Sequence, residues 1–293
     1  NKISVESADE LYALDRLAGE LNHRPSVLLR LNPDVAPDTH RHILTGNAES
    51  KFGISLDVAH ELRKHDWKNL DLCGVHFHIG SQIPDPTSIS ATLDIVLGFL
   101  EACPPSWDTL DMGGGFPVGY ENERVVNSFA DFAKVAANRL ARFPRPLNLI
   151  IEPGRSLIAD TGALLLTVQA SKETGAYQTV IVDGGMNTLL RPALYDAHHH
   201  VLPLQETNKD TYPTHLAGPV CESTDYLARD RQLPELSRND KLAVMTTGAY
   251  GYSMASHYNA RPLPAEVLVD GDSYQLIRRR EKHEDLDGLD LHI

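Results

Sequence analysis

The chain has 293 residues, 42% of them hydrophobic and 23% charged, the composition of a globular protein with room for two domains or for one barrel and an appendage. Its 40 acidic against 27 basic residues give a formal charge of −13, which repels phosphate backbones and anionic membranes and argues against nucleic acid or a membrane as partner. The three cysteines (Cys73, Cys103, Cys221) make no CxxC pair, which excludes a zinc knuckle or disulfide framework and fits a reducing cytoplasm; no apolar run reaches the ~18–20 residues of a membrane span.

In chain order, the first half alternates short apolar strands with amphipathic helices. "KISV", "SVLLRLNP", "LCGVHFHIG", "TLDMGGGF" and "LNLIIEPG" read as strands. Between the last two, Val125, Phe129, Phe132, Ala136, Leu140 and Phe143 recur at steps of three and four, the single apolar face of a helix. Strands alternating with helices pair in parallel through right-handed crossovers. Five such units are too few to close an eight-stranded barrel, so the expectation is an open sheet or a barrel whose remaining units lie upstream of Asn1. The chain opens on Asn1 directly ahead of a strand, and an N-terminal portion is expected to precede it.

After "EPGRS" the pattern changes. "ALLLTVQASKE", "YQTVIVDGG", "THLAGPV", "KLAVMTTG", "AEVLVDG" and "YQLIRRRE" are strands joined by turns, so residues 156–293 are predicted to form a β-domain behind the α/β domain of residues 1–155.

The chemistry-bearing stretches follow strand ends, the edge where α/β folds bind ligands. In "GVHFHIGSQ", period-two alternation puts His76 and His78 on one face and Val75, Phe77 and Ile79 on the other. His-x-His is a familiar metal grip, but no carboxylate or third histidine stands near it in sequence, so no metal is expected. Gly113, Gly114 and Gly115 can present bare backbone N–H groups to an anion, or can simply turn the chain. In "IIEPGRS", Arg155 suits a phosphate or carboxylate and Glu152 suits a ring nitrogen; a surface ion pair is the plain alternative. Arg191 and Tyr195 stand one helical turn apart and would share a face. His198, His199 and His200 read as a polar helix end. Cys221 has Glu222 and Asp225 beside it, neighbours that favour a thiol suited to donating a proton. "GAYGYSMASHYN" offers Tyr250, Tyr252 and Tyr258 as loop tyrosines.

Taken together and in this order, "GVHFHIGSQ", "DMGGGFP", "EPGRS", "DGGMNTLLRPALYDA", "GPVCESTD" and "GAYGYSMASHYN" resemble the fold-type III pyridoxal-phosphate decarboxylases, and within them the branch acting on diaminopimelate. "RHILTGNAESKFGI" is also similar to that family's sequence ahead of the His-bearing strand. The resemblance implies a partial alanine-racemase-like (β/α)8 barrel, strands 4–8, followed by a C-terminal β-domain, with pyridoxal 5'-phosphate as cofactor. It implies that Gly113, Gly114, Gly115, Ser81, Gly154 and Arg155 surround the cofactor phosphate, that Glu152 pairs with the pyridine nitrogen, and that His78 stacks on the ring. Arg155, Arg191 and Tyr195 would hold the substrate's distal carboxylate, Glu222 its distal amine, and Tyr250 would touch cofactor and substrate. Cys221 would protonate the carbanion left by CO2 loss. Cys221 and Glu222 would come from the second subunit of a homodimer. The implied reaction is conversion of meso-diaminopimelate to L-lysine. A related decarboxylase of ornithine or of a siderophore or antibiotic precursor, and a non-catalytic cofactor-binding relative, are the alternatives. One departure stands out: the family's cofactor-bearing lysine lies in a stretch like "YAVKAN", which nothing here matches, and Lys51 corresponds to a different family lysine. About a hundred residues, three βα units' worth, are therefore expected upstream of Asn1.

Overall fold

The computed structural model describes residues 1–34, 51–121, 127–205 and 210–288; Val125 and most of the stretch "RHILTGNAESKFGI" lie outside them. The chain divides into two compact units, Asn1–Val118 with Val125–Leu157, and Gly119–Arg124 with Ile158–Ile293.

The first unit runs β1 (Lys2–Val5), α1 (Ala8–Glu20), β2 (Ser26–Asn32), β3 (Ile54–Ser55), α2 (Leu56–Leu62), β4 (Asp71–His76), α3 (Thr87–Glu101), β5 (Thr109–Asp111), α4 (Phe129–Leu140) and β6 (Asn148–Ile150). The five predicted strands form one sheet in the order β1-β2-β4-β5-β6, every pair parallel, and the two-residue β3 adds to β2. Helix starts follow local chemistry. Ser7 caps α1 by accepting the Glu10 N–H, and the Ser128 N–H ahead of α4 donates to Asp131 Oδ2 at 2.9 Å. In α4, Phe132 and Ala136 are buried as the spacing predicts, whereas Phe129, in the first turn, stays exposed.

The core lies on the sheet face that the alternation marked. Val75, Phe77 and Ile79 are fully buried with Leu93, Val96 and Leu100 of α3 and Leu110 of β5, each such side chain contributing about 1.5–3 kcal/mol on leaving water. The opposite face carries the polar residues Ser4, His76 and Asp111, so one strand period separates core from chemistry.

The second unit holds β7 (Leu164–Thr174), β8 (Tyr177–Val182), β9 (Val201–Pro203), β10 (Thr211–Ala217), β11 (Tyr226–Pro234) and β12 (Lys241–Val244) in a sheet ordered β11-β10-β8-β7-β12-β9, with only β8 and β10 parallel. A separate hairpin joins β13 (Glu266–Asp270) to β14 (Ser273–Arg278). β9 and β11 escaped the sequence reading. β11, "YLARDRQLP", carries three charges, so its apolar alternation is broken, yet Leu227, Ala228 and Leu233 reach the core with Leu166, Val168, Val180, Val182 and Leu216. Two short helices bear site residues: α5 (Gly154–Ile158), which spans the boundary between the units, and α6 (Arg191–Tyr195).

Candidate active site

In the first unit the site forms where β4, β5 and β6 end. His76 pairs in register with Asp111, and Asp111 with Ile150, so the three chains leave the sheet side by side. The ladder continues beyond the strands: Phe77 N–H donates to the Asp111 carbonyl, and Glu152 N–H to the Gly113 carbonyl at 2.8 Å. Glu152 is thereby fixed beside the glycine run.

The glycines answer to packing as well as to any ligand. A side chain at Gly114 would put its Cβ 2.4 Å from the Glu152 carbonyl oxygen, and Gly113, at φ +64°, would put one 2.6 Å from the Phe77 carbonyl oxygen. Two of the three N–H groups are spent internally: Gly113 donates to Asp111 Oδ1 at 2.9 Å and Gly114 to His78 Nδ1 at 3.0 Å. The cradle the sequence suggested is thus only partly open to an anion from this loop. Its neighbours supply more. Arg155 Nη2 donates to Ser81 Oγ at 2.9 Å, tying the loop after β6 to the loop after β4, and a Cβ at Gly154 would meet nothing within 4 Å. A guanidinium, a hydroxyl and an open glycine backbone are an anion-binding set.

His78 lies just beyond the end of β4. Because its Nδ1 accepts from Gly114, its ring proton sits on Nε2; burial, then the Arg30 charge, push its pKa down to about 4. His76, only 5% exposed, sits one layer deeper and meets Ser4 Oγ at 2.8 Å through Nδ1. Its pKa falls to about 3, chiefly from burial and next from Arg30. Both rings are neutral near pH 7.

The surroundings of His76 correct the sequence reading, which found no carboxylate near it. Folding brings Asp111 from the neighbouring β5 and Glu152 from just beyond β6, and ligand atoms of the three residues all lie within 4.8 Å of one another. Among the described residues no other His, Cys, Asp and Glu group is arranged so that it could hold a metal. The His76 Nε2 atom is buried without a hydrogen-bond partner and stands 3.6 Å from Glu152 Oε2. Burial raises the pKa of both carboxyl groups, and Asp111 adds to the rise at Glu152. A protonated ring nitrogen brought to Glu152 would relieve that repulsion. The acidic floor, the neutral His78 ring and the Arg155–Ser81 anion set together fit pyridoxal phosphate.

In the second unit, Arg191 opens α6 and is 6% exposed, whereas Tyr195, one turn on, is 38% exposed. The predicted shared face is therefore graded from buried to open. The tract His198–His200 is not a helix end: α6 stops at Tyr195, with Asp196 left-handed at φ 53°, and His199 is fully buried. Cys221 is exposed, as is Glu222. Asp225 does not face the thiol as a free acid; its carboxylate takes the N–H groups of Met186 and Val220, both at 2.6 Å. Tyr250 is 42% exposed and held at φ 60°, a backbone state unusual for a tyrosine and favoured at functional loops. Sequence reading missed Ser4, Asp111, Tyr120 and the burial of His199. Only Asp111 left a trace, as an acid closing an apolar strand immediately before a glycine run.

A family model described as "Pyridoxal-dependent decarboxylase, pyridoxal binding domain" matches residues 1–159, more than half of the chain. The chain belongs to that family. It is 39% identical over 286 residues to the diaminopimelate decarboxylase of Aquifex aeolicus, spanning 96% of this chain and 68% of that protein. Over 292 residues it is 40% identical to the diaminopimelate decarboxylase of Vibrio cholerae, spanning 98% and 69%. Among solved structures, the M. jannaschii diaminopimelate decarboxylase in complex with L-lysine matches with a TM-score of 0.92 at 35% identity, covering 100% of this chain and 69% of that one. The Helicobacter pylori enzyme complexed with L-lysine gives 0.87 at 38% identity, covering 97% and 71%. The family makes this chain a pyridoxal-phosphate-dependent carboxy-lyase, with the fold-type III arrangement of part of a (β/α)8 barrel followed by a β-domain. No helix among the described residues is long and apolar enough to cross a membrane.

Proposed function

We propose that this protein decarboxylates meso-2,6-diaminopimelate to L-lysine, as a cytoplasmic homodimer. The observation that carries the substrate is Arg191, a guanidinium almost wholly withdrawn from water at the start of α6, with the exposed Tyr195 one turn away. A buried cation suits a substrate whose far end bears a carboxylate, and a site built to pair such groups rejects substrates that lack them.

Pyridoxal phosphate, when bound, supplies the conjugated ring that takes up the electron pair left by departing CO2. The protein does the rest. Arg155, Ser81, the Gly154 backbone and the Gly115 N–H would hold the phosphate. Glu152 as carboxylate would keep a proton on the pyridine nitrogen, the charge that lets the ring draw electrons. The neutral His78 imidazole offers a flat face that adds no competing charge. Arg191 and Tyr195 would hold the distal carboxylate, Glu222 the distal amine, and Tyr250 would steady the substrate. Cys221 delivers the proton to carbon. The exposure of Cys221 and Glu222 supports their donation to the site of a second copy.

The test is CO2 release by the full-length, cofactor-loaded protein offered meso-diaminopimelate, L-lysine and L-ornithine in parallel. Turnover of diaminopimelate alone supports the proposal; preferential turnover of L-ornithine or L-lysine overturns it. Sedimentation as a monomer at assay concentration would overturn the homodimer.

A further inference from the structure

We infer that His199 and Tyr120 are positioning residues for Arg191, forming a clamp that holds its guanidinium in the one orientation able to grip a carboxylate. The inference rests on the reading of Arg191 as the distal-carboxylate anchor and deepens it.

The clamp is built from four contacts. His199 Nδ1 lies 2.9 Å from the Met245 carbonyl oxygen, which can only accept, so the ring proton is on Nδ1. His199 Nε2 then carries a lone pair, and Arg191 Nη1 donates to it at 2.8 Å. On the guanidinium's flat side lies the Tyr120 ring, with Arg191 Cζ 4.4 Å from its centroid, and Tyr120 also packs edge-on against the His199 ring at 5.1 Å. The histidine is itself held by a rigid frame. Met245 N–H donates to the His200 carbonyl at 2.8 Å, extending the β9–β12 ladder in which Val201 faces Val244. With His199 at 0% exposure, water cannot replace it as acceptor.

The alternative role for such a histidine, metal binding with its neighbours, fails on partners. His198 Nδ1 meets Arg231 Nη2 at 3.1 Å, so adjacent members of the tract serve different arginines. The imidazole accepts from one arm of the guanidinium fork and adds no charge of its own.

The test compares binding of L-lysine and cadaverine, which differ by the carboxylate alone, to the full-length cofactor-loaded enzyme by calorimetry. In His199→Leu, L-lysine is expected to bind about tenfold or more weakly while cadaverine stays within about twofold, because one bond to a charged group is lost. His199→Gln, whose amide oxygen can accept from Arg191, is expected to recover most of the loss. Arg191→Ala should abolish the preference for L-lysine. If Arg191→Ala abolishes it and His199→Leu retains it, the clamp is wrong and the substrate reading stands. If Arg191→Ala retains it, the substrate reading falls and the clamp with it. Equal weakening of both ligands in His199→Leu marks a merely structural histidine and overturns the inference. Should His199→Leu fail to fold, Tyr120→Ala decides: selective loss of L-lysine supports the clamp, and an unchanged ratio overturns it.

Discussion

His76 points its buried Nε2 at Glu152 Oε2 from 3.6 Å, with Ser4 Oγ on the other side of its ring at 2.8 Å from Nδ1. With two carboxylates ahead of it, the ring is best served by a proton on Nε2 and by the Ser4 hydroxyl donating to Nδ1. At that separation the Nε2–H dipole faces Glu152 without bonding to it and favours the carboxylate form, against the burial and the Asp111 charge that disfavour it. Replacing His76 with Leu is expected to lower kcat by about ten- to a hundredfold with a smaller change in KM. His76→Gln, which keeps a donor, should retain most of the rate. Steady-state CO2 release at several pH values checks both, and a rate unchanged in His76→Leu would show that the histidine does not act on Glu152.

Glu152→Gln should cost more, because it removes the charge itself. The amide could not hold a proton on a bound pyridine nitrogen as the proposed carboxylate would, so kcat is expected to fall by about a hundred- to a thousandfold, the scale set by removal of one preorganised electrostatic group. Retention of cofactor by absorbance, with the rate lost, separates this from a failure to bind.

Much of this was readable in advance, and the reasons differ from residue to residue. Period-two alternation placed Val75, Phe77 and Ile79 in the core and both histidines opposite, because a half-buried strand leaves its face in the sequence. The approach of Asp111 and Glu152 to His76 was not readable, since it depends on the register of three strands separated by helices. The strand β11 was hidden by its charges. His199 was misread because a run of three histidines looks polar, while the fold assigns each member its own environment.

The two depressed histidines make stability depend on acid. Unfolded, each titrates near 6.5; folded, His76 does so at about 3 and His78 at about 4. Between these limits the unfolded chain binds more protons, so stability is whole above about pH 6.5 and declines as pH falls toward 3. The melting temperature is expected to drop by several degrees between pH 7 and pH 4.5, and less so in His76→Gln. A melting temperature flat across that range would show that neither ring is held neutral by the fold.

Gly114 and Gly154 give a paired test of the glycine-lined loops. A Cβ at Gly114 would lie 2.4 Å from the Glu152 carbonyl, whereas at Gly154 it would meet nothing within 4 Å. Gly114→Ala must displace backbone and is expected to cost about 1–3 kcal/mol. Gly154→Ala should leave stability nearly unchanged. Denaturant midpoints read both, and equal midpoints would show that the loop yields without cost.

Asp225 ties the Cys221–Glu222 loop to the chain ahead of α6. Its carboxylate, on a residue 3% exposed, takes the Met186 and Val220 N–H groups at 2.6 Å each, and it fills the space beside Gly185 and Gly218, where any Cβ would strike it at 2.5 Å or less. Burial raises its pKa while those two N–H bonds pull it down. Asp225→Ala leaves the buried Val220 N–H without an acceptor, at about 1–3 kcal/mol, and strips the half-buried Met186 N–H of its own. The loop that carries Cys221, the proposed proton donor, would then lose its fixed position, so kcat should fall together with the melting temperature. Asp225→Asn keeps only one accepting oxygen and aims an N–H₂ at a backbone N–H; it should fall between wild type and Ala on both readouts. If Asp225→Asn matches wild type in melting temperature and kcat, the carboxylate is not what holds the loop.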